Sequence, residues 1–485
     1  MQERYQLVHL RRQMAKAATY QEWVTAAVKY DVILDRVSWT MRAESEHYDH
    51  TLIQRRLTML RNLRRGHNAA DIARSLRAGL HRNLGGISNP SLYNVTKVGT
   101  KVLIQDYINE VVDQLCYLSS QECASFPLME KLVFFRETRH AFGRSALLLS
   151  GGATLTMYHL GPIKSLFEAG LLPRVISGSS GGALVAAWVC TATDDELLSR
   201  LEPSSVRMGP FEELNFSRLC KRGVLFDIAV LERFVRQNIP DLTFLEAYRR
   251  THRILNVTVT STTASGDDGR LLNYLTAPNV LVYSAVLASC AIPGIYEPVE
   301  LLEKNKHGNV VPYVSHGQHW CDGTIAHDLP TKRLAELFNI NQFMVSQTNP
   351  WHGCFPVVVP FMPSTDEKVA DMPWNLSGIW KRLWHLTGSN VRHVADNLVT
   401  LGLLPKRFAR FVRLAAQRYR GDITIVPACG LGDYGRILSN PTAKYIKRCT
   451  LEGERRTWPK LSLIRARCAI EQALDTCVRK LQREL

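Results

Sequence analysis

Val175-Ile176-Ser177-Gly178-Ser179-Ser180-Gly181-Gly182-Ala183-Leu184-Val185-Ala186-Ala187 is the stretch on which the reading of this chain turns. Its apolar opening suits a short strand, and the small apolar residues from Ala183 to Cys190 suit a buried helix. Between them, Gly178 to Gly182 match Gly-x-Ser-x-Gly. A nucleophilic serine on a sharp strand-to-helix turn needs small neighbours, because the backbone is crowded there. The helix that follows directs its N-terminal N–H groups and positive dipole end at the serine, which favours a developing negative charge. Glycine-rich turns are common, so the pentapeptide alone is weak evidence; the strand before it and the helix after it supply the context that points to Ser180 as a nucleophile.

Upstream, Ala146-Leu147-Leu148-Leu149 reads as a buried parallel strand running into Ser150-Gly151-Gly152-Ala153. A helix is predicted from Met157 to Ala169, stopped by Gly170. A glycine-rich turn after a strand can aim several backbone N–H groups into one concavity, for a phosphate or for an oxyanion. The phosphate-loop pattern Gly-x-x-x-x-Gly-Lys-Ser/Thr is absent and no dinucleotide fingerprint starts here, so beside the serine turn the oxyanion reading leads and an ordinary tight turn is the alternative. Downstream, strands are predicted at 254–260, 271–275 and 343–347. Strands alternating with helices define an α/β sheet. Asp322-Gly323-Thr324 reads, on its own, first as a turn. A serine hydroxyl needs a base, and His327, His352, His385 and His393 downstream leave a Ser-His-Asp arrangement open.

The flanks differ in texture. Residues 1–130 read as mainly helical: Thr19-Tyr20-Gln21-Glu22 fits a capping box before an amphipathic run through Trp23, Ala26, Ala27 and Tyr30. Arg55, Arg56, Arg61, Arg64 and Arg65 form a basic stretch that suits a solvated helix face better than a membrane-facing one. Residues 85–90 are a break, and a second helical run covers Val102–Leu118. The tail from 351 to 485 is mixed; Trp374, Trp380 and Trp384 precede the basic residues Lys406, Arg407, Arg410, Arg413, Arg418 and Arg420, a pairing that fits either a lipid interface or a packed helical pair with a solvated face.

Composition narrows the classes. The 485 residues are 46% hydrophobic and 21% charged, enough for a large core and against disorder. A net charge of +16 calls for an anionic partner, nucleic acid or anionic lipid. No RNA-binding signature or zinc-finger spacing is present, which puts lipid ahead and nucleic acid behind. The 11 cysteines form no Cys-x-x-Cys, so a zinc site or disulfide framework is disfavoured and reduced thiols in an intracellular compartment are expected. No signal-peptide pattern and no apolar run of about 18 residues is found, so a soluble or peripherally bound protein is expected.

Taken together, the phrases at 147–153, 171–180, 273–280 and 288–294, with Asp322-Gly323-Thr324, resemble the patatin-like phospholipase family. The N-terminal phrase Ala17–Trp23 and the C-terminal phrases Gly421–Pro427 and Thr457–Leu461 resemble its triacylglycerol lipase branch, the plant seed and fungal lipid-droplet lipases. The resemblance implies a three-layer α/β/α core at 141–350, a helical N-terminal extension at 1–140 and a mixed, largely helical C-terminal region at 351–485. It implies a Ser-Asp dyad, with Ser180 attacking the acyl carbonyl and Asp322 taking its proton without a histidine. The N–H groups of Gly151, Gly152 and Ala153 would hold the oxyanion, Gly178 and Gly182 would form the nucleophile turn, and no metal or organic cofactor is implied. The substrate expected is triacylglycerol at a lipid-droplet or membrane surface; a phospholipase with the same dyad, or a non-catalytic droplet scaffold, are the alternatives. Two features depart from the family pattern. In Gly-Gly-Gly-x-Arg/Lys-Gly, the third, fifth and sixth positions here are Ala153, Leu155 and Thr156, and Gly181 stands where a bulkier residue is common. The His-x-x-x-x-Asp pattern of acyltransferring relatives is absent.

Overall fold

The computed structural model describes residues 2–66, 68–120, 126–202, 209, 211, 218, 221–262, 269–314, 317–323, 329–349 and 421–485. The tryptophans at 374–384, the basic residues at 406–420, Thr324, and the histidines His327, His352, His385 and His393 lie outside them.

Strands form at each of the five expected places, 146–149, 175–176, 254–260, 271–275 and 343–347, and others that the sequence did not announce join them. These are β1 (Arg144–Leu149), β2 (Val175–Gly178), β3 (Ile254–Ser261), β4 (Gly269–Leu272), β5 (Val299–Glu300), β6 (His319–Asp322), β7 (Ile340–Ser346) and β8 (Ile423–Ile425). Five run parallel in the order β8-β7-β1-β2-β3. β4 and β6 pair antiparallel with β3, and β5 pairs antiparallel with β6. The expected strand at 271–275 stops at Leu272, because the Asn273 side chain accepts from the N–H groups of Leu275 and Thr276 and turns the chain.

The principal helices of the N-terminal segment are α1 (Tyr20–Ile33), α2 (His50–Arg65), α3 (Val102–Ser119) and α4 (Leu128–Phe142). Around the sheet lie α5 (Leu160–Glu168), α6 (Gly181–Cys190), α7 (Val282–Cys290) and α8 (Thr331–Phe338); α9 (Ala443–Thr457) and α10 (Leu461–Arg483) close the chain. Strand alternation sorts side chains into two faces. Leu147, Leu149 and Ile176 join the main core, which also holds the apolar residues of α6 and α7, while Ala146, Leu148 and Val175 pack with Leu334 and Phe338 of α8. That is a three-layer α/β/α core. The single helix expected from Met157 is two pieces, a 3-10 segment Ala153–His159 and then α5. Pro162 has no N–H to complete a bond back to residue 158, so it is tolerated only in a first turn.

The N-terminal segment is fastened to the chain's end. Thr19 caps α1 by accepting from Glu22 N–H, while Glu22 accepts from Ala18 N–H, a capping box shifted by one residue. Trp23, Ala26, Ala27 and Tyr30 are buried as their spacing predicts. Trp23 and Tyr20 meet Trp458 at ring centroids of 6.5 and 6.3 Å, so two separate phrases of the resemblance pack on each other. Such aromatic contacts contribute about 0.5–1.5 kcal/mol each beyond area burial. On α2, Arg61 and Arg64 pair with Asp106, Glu110 and Asp113 of α3. Among the described residues no helix is long and apolar enough to cross a membrane.

Candidate active site

β1 and β2 end level with each other, Leu149 opposite Gly178, and both turns follow at the carboxyl edge of the parallel strands. This is where open α/β sheets place their sites. Ser180 sits between β2 and α6 with φ 52° and ψ −133° and is buried. A non-glycine residue held there costs on the order of 1–3 kcal/mol, a strain that persists only where the surroundings enforce it.

The glycines explain the enforcement. A Cβ on Gly182 would stand 2.4 Å from the Leu149 carbonyl oxygen and 2.6 Å from that of Ser150; one on Gly178 would stand 2.3 Å from the Gly182 carbonyl oxygen. The strand, the turn and the helix therefore touch backbone to backbone. A Cβ on Gly151 would fall 3.1 Å from the Ser180 Cβ, so the second glycine-rich turn lies directly beside the serine.

Strand register places Asp322. Val257 pairs with Gly178 and Leu272, and Val259 pairs with Asp322 and Arg270. Since β4 occupies one edge of β3, β2 and β6 share the other, and Asp322 lies two residues beyond Gly178 along it. At about 3.3 Å per residue this is roughly 7 Å, just past the point where β2 leaves the sheet for Ser180. The end of α7 holds both residues. Ser180 N–H donates to Ser289 Oγ at 3.0 Å, Ser289 Oγ donates to the Thr258 carbonyl at 2.8 Å, and Asp322 N–H donates to the Ala291 carbonyl at 3.1 Å. Asp322 is fully buried, and it ends a strand instead of forming the turn that Asp-Gly suggests in isolation.

Among the described residues, the N–H groups of Gly151, Gly152, Ala153 and Gly181 have no internal acceptor. All four belong to the two turns that meet at Ser180, one of them at the N-terminus of α6, whose dipole adds positive potential there. The loop that carries three of them is anchored from behind. Thr154 donates to the carbonyls of Ile437 and Ser439, each at 2.8 Å. Ser150 Oγ accepts from Thr348 N–H at 2.8 Å, and His159 bridges the Ser150 carbonyl (2.9 Å) and Ser346 Oγ (2.8 Å). The carbonyl only accepts, so His159 Nε2 carries the proton and Nδ1 accepts from Ser346. Burial pushes the His159 pKa down to about 4, which keeps it neutral. Ser289, Thr348 and His159 are positions that residue spacing alone did not single out; no short-range pattern marks them, because their partners come from remote strands.

Of the departures from the family pattern, those at 156 and 181 have a common physical account. Ala153 occupies a left-handed conformation, φ 47°, where the pattern has a glycine, and so carries strain. Leu155 is fully buried in the core in place of a basic residue. Thr156 and Gly181 are complementary: a Cβ on Gly181 would stand 2.7 Å from Thr156 Cγ2 and 2.8 Å from its Oγ1. The bulk absent at 181 is present at 156. Gly181→Ala is expected to destabilise by about 1–3 kcal/mol through overpacking against this buried, β-branched side chain. Thr156→Gly in the same chain is expected to recover about 1 kcal/mol or more, read as the coupling term of a double-mutant cycle in urea unfolding. Strictly additive effects would show that the two positions are independent.

Residues 147–335 match the family described as patatin-like phospholipase, and residues 1–140 match a domain of unknown function, DUF3336. Triacylglycerol lipase ptl3 of Schizosaccharomyces pombe is 35% identical over 95% of this chain and 95% of its own length. Triacylglycerol lipase SDP1L of Arabidopsis thaliana is 38% identical over 96% of this chain, and triacylglycerol lipase 4 of Saccharomyces cerevisiae 35% identical over 96%. The chain spans 58% and 52% of the lengths of these last two. With similarity running from the N-terminal helices through the serine turn to the final helix, the chain belongs to the triacylglycerol lipase branch of the patatin-like phospholipases.

Proposed function

We propose that the chain is a serine lipase that hydrolyses fatty-acyl esters of triacylglycerol at a lipid-droplet surface, through a Ser180–Asp322 dyad and an acyl-enzyme. The observation that carries this reading is the cluster of N–H donors from Gly151, Gly152, Ala153 and Gly181 without internal acceptors around a strained, buried serine. In the first step Ser180 Oγ bonds to the acyl carbonyl carbon and its proton passes to the Asp322 carboxylate. The carbonyl oxygen becomes an oxyanion, held by those donors. Collapse breaks the ester C–O bond, and the departing glycerol oxygen takes the proton from Asp322. Water then attacks the acyl-enzyme, gives a proton to Asp322, and the fatty acid leaves as Ser180 Oγ is reprotonated. None of these steps calls for a metal or an organic cofactor. The similarity to relatives named triacylglycerol lipases supports a neutral-lipid substrate.

The test is fatty-acid release by purified protein from emulsified trioleoylglycerol and from phosphatidylcholine vesicles. Release from trioleoylglycerol at the higher rate is expected. Release from phosphatidylcholine alone retains the dyad and moves the substrate to phospholipid. Release from neither, with no labelling by a fluorophosphonate, removes the enzymatic reading in favour of a lipid-binding scaffold.

A further inference from the structure

A cavity of about 850 Å³ opens at the opposite end of the sheet from Ser180. Ser145, Arg174 and Arg253, at or just before the starts of β1, β2 and β3, form part of its lining. Its long walls are α3 and α10. Gly99 N–H donates to Ser462 Oγ at the beginning of the two helices, and Cys477 Sγ to the Leu115 carbonyl near their ends, so they run side by side in the same direction. Ile104, Ile108 and Val112 line one wall at helical spacing; Ala466, Ala469 and Ala473 keep the facing wall open. From Ile104 to Cys116 the groove follows α3 for about 18 Å, at about 1.5 Å per residue.

One end of this groove, whose lining is apolar by a modest margin, is cationic. Arg174 and Arg479 line it there, with Arg465 further along. The carboxylates in the lining are already engaged: Glu471 by Arg82 and Arg139, Asp475 by Arg139, and Asp194 by Arg253. Among the described residues Arg479 bonds only within its own helix, to the Asp475 carbonyl and Thr476. Among the described residues the side chain of the half-buried Arg174 makes no hydrogen bond or ion pair. Burial, and Arg479 beside it, lower its pKa; Asp475 and Asp194, each already paired with another arginine, offset this only in part. A partly desolvated guanidinium facing a second one is costly unless an anion joins them.

We propose that this groove binds a single-chain amphiphile with an anionic head, the acyl chain lying between α3 and α10 and the carboxylate or phosphate head held by Arg174 and Arg479. Cavities of this volume enclose most of a ligand of that size, and a guanidinium pair suits either head group. The chemistry at Ser180 is not required. The site is separated from the serine by the length of the parallel strands.

Binding is measured by calorimetry with the full chain carrying Ser180→Ala, below micellar concentrations, using oleate, 1-oleoyl-lysophosphatidate and the uncharged monooleoylglycerol. Oleate or the lysophosphatidate is expected to bind at least about tenfold more tightly than monooleoylglycerol, and the tighter of the two identifies the head as carboxylate or phosphate. Arg174→Gln is expected to weaken that ligand about tenfold by removing a charge-assisted bond. Ala469→Phe, which fills the groove, is expected to weaken both anionic ligands, with the unliganded thermal midpoint of each variant retained. Equal binding of monooleoylglycerol, binding unmoved by both substitutions, or no binding at all would overturn the site. Because every arm lacks the Ser180 hydroxyl, none of these outcomes bears on ester hydrolysis.

Discussion

Ser180→Ala is expected to lower fatty-acid release by about 10⁴-fold or more, and Asp322→Asn by a similar factor, with the fold of both retained. Alanine removes only an oxygen from a side chain whose backbone position is fixed by Gly178, Gly182 and Ser289, not by the hydroxyl. Asparagine is close to isosteric with aspartate and leaves the Asp322 N–H bond to the Ala291 carbonyl in place. The losses should not add. If Asp322 serves only to take the Ser180 proton, the double substitution is no slower than Ser180→Ala, because the base has nothing left to activate. A fluorophosphonate distinguishes the roles. It should label the wild type, label Asp322→Asn slowly and leave Ser180→Ala unlabelled. Substantial release by Ser180→Ala would transfer the nucleophile elsewhere. Full activity of Asp322→Asn would return the base to a histidine, and His159 is a poor candidate, since its Nε2 proton is committed to the Ser150 carbonyl.

The core was legible because its decisive interactions are local. An apolar run, a glycine-rich turn and a small-residue helix follow one another within about 15 residues at 175–190, and the same logic holds at 146–153. What escaped is long-range. β8 enters the sheet at the edge of β7 from a segment some 80 residues later, and nothing in Ile423-Thr424-Ile425 announces its partner. The short β5 and β6 are too brief to show a period. Asp322 reads as a turn until strand register sets it two residues past Gly178 along β3, and Gly323 explains why: a Cβ there would meet the Thr258 carbonyl oxygen at 2.7 Å, so the glycine serves a close strand approach. The anchors of the Ser150–Ala153 turn, Thr348 and the carbonyls of Ile437 and Ser439, come from beyond residue 335, where the patatin-like match ends. Thr156 and Gly181 stand as two unrelated anomalies in the sequence and become one packing exchange in three dimensions.

Gly182→Ala is expected to be far more damaging than Gly181→Ala, costing more than about 3 kcal/mol, at or above the usual upper range for overpacking. The reason is the identity of the colliding atoms. At Gly181 the added methyl meets a side chain, and Thr156 can be trimmed to admit it. At Gly182 it meets two backbone carbonyl oxygens, at 2.4 and 2.6 Å. Neither is free to retreat: the Leu149 carbonyl accepts from Ser179 N–H at 3.3 Å, and the Ser150 carbonyl from His159 at 2.9 Å. Relief therefore requires the whole turn to move away from β1, which separates Ser180 from the donors of Gly151 to Ala153. Loss of soluble protein, or a thermal midpoint clearly below that of Gly181→Ala, is the expected result, and no change at Thr156 should restore it. In whatever protein remains folded, fluorophosphonate labelling should fall as well, since the displaced N–H groups no longer surround the serine. A Gly182→Ala protein with the wild-type midpoint and undiminished labelling would mean that the backbone contact between β1 and α6 does not set the position of Ser180, and the steric account of the Gly-x-Ser-x-Gly turn in this chain would fail.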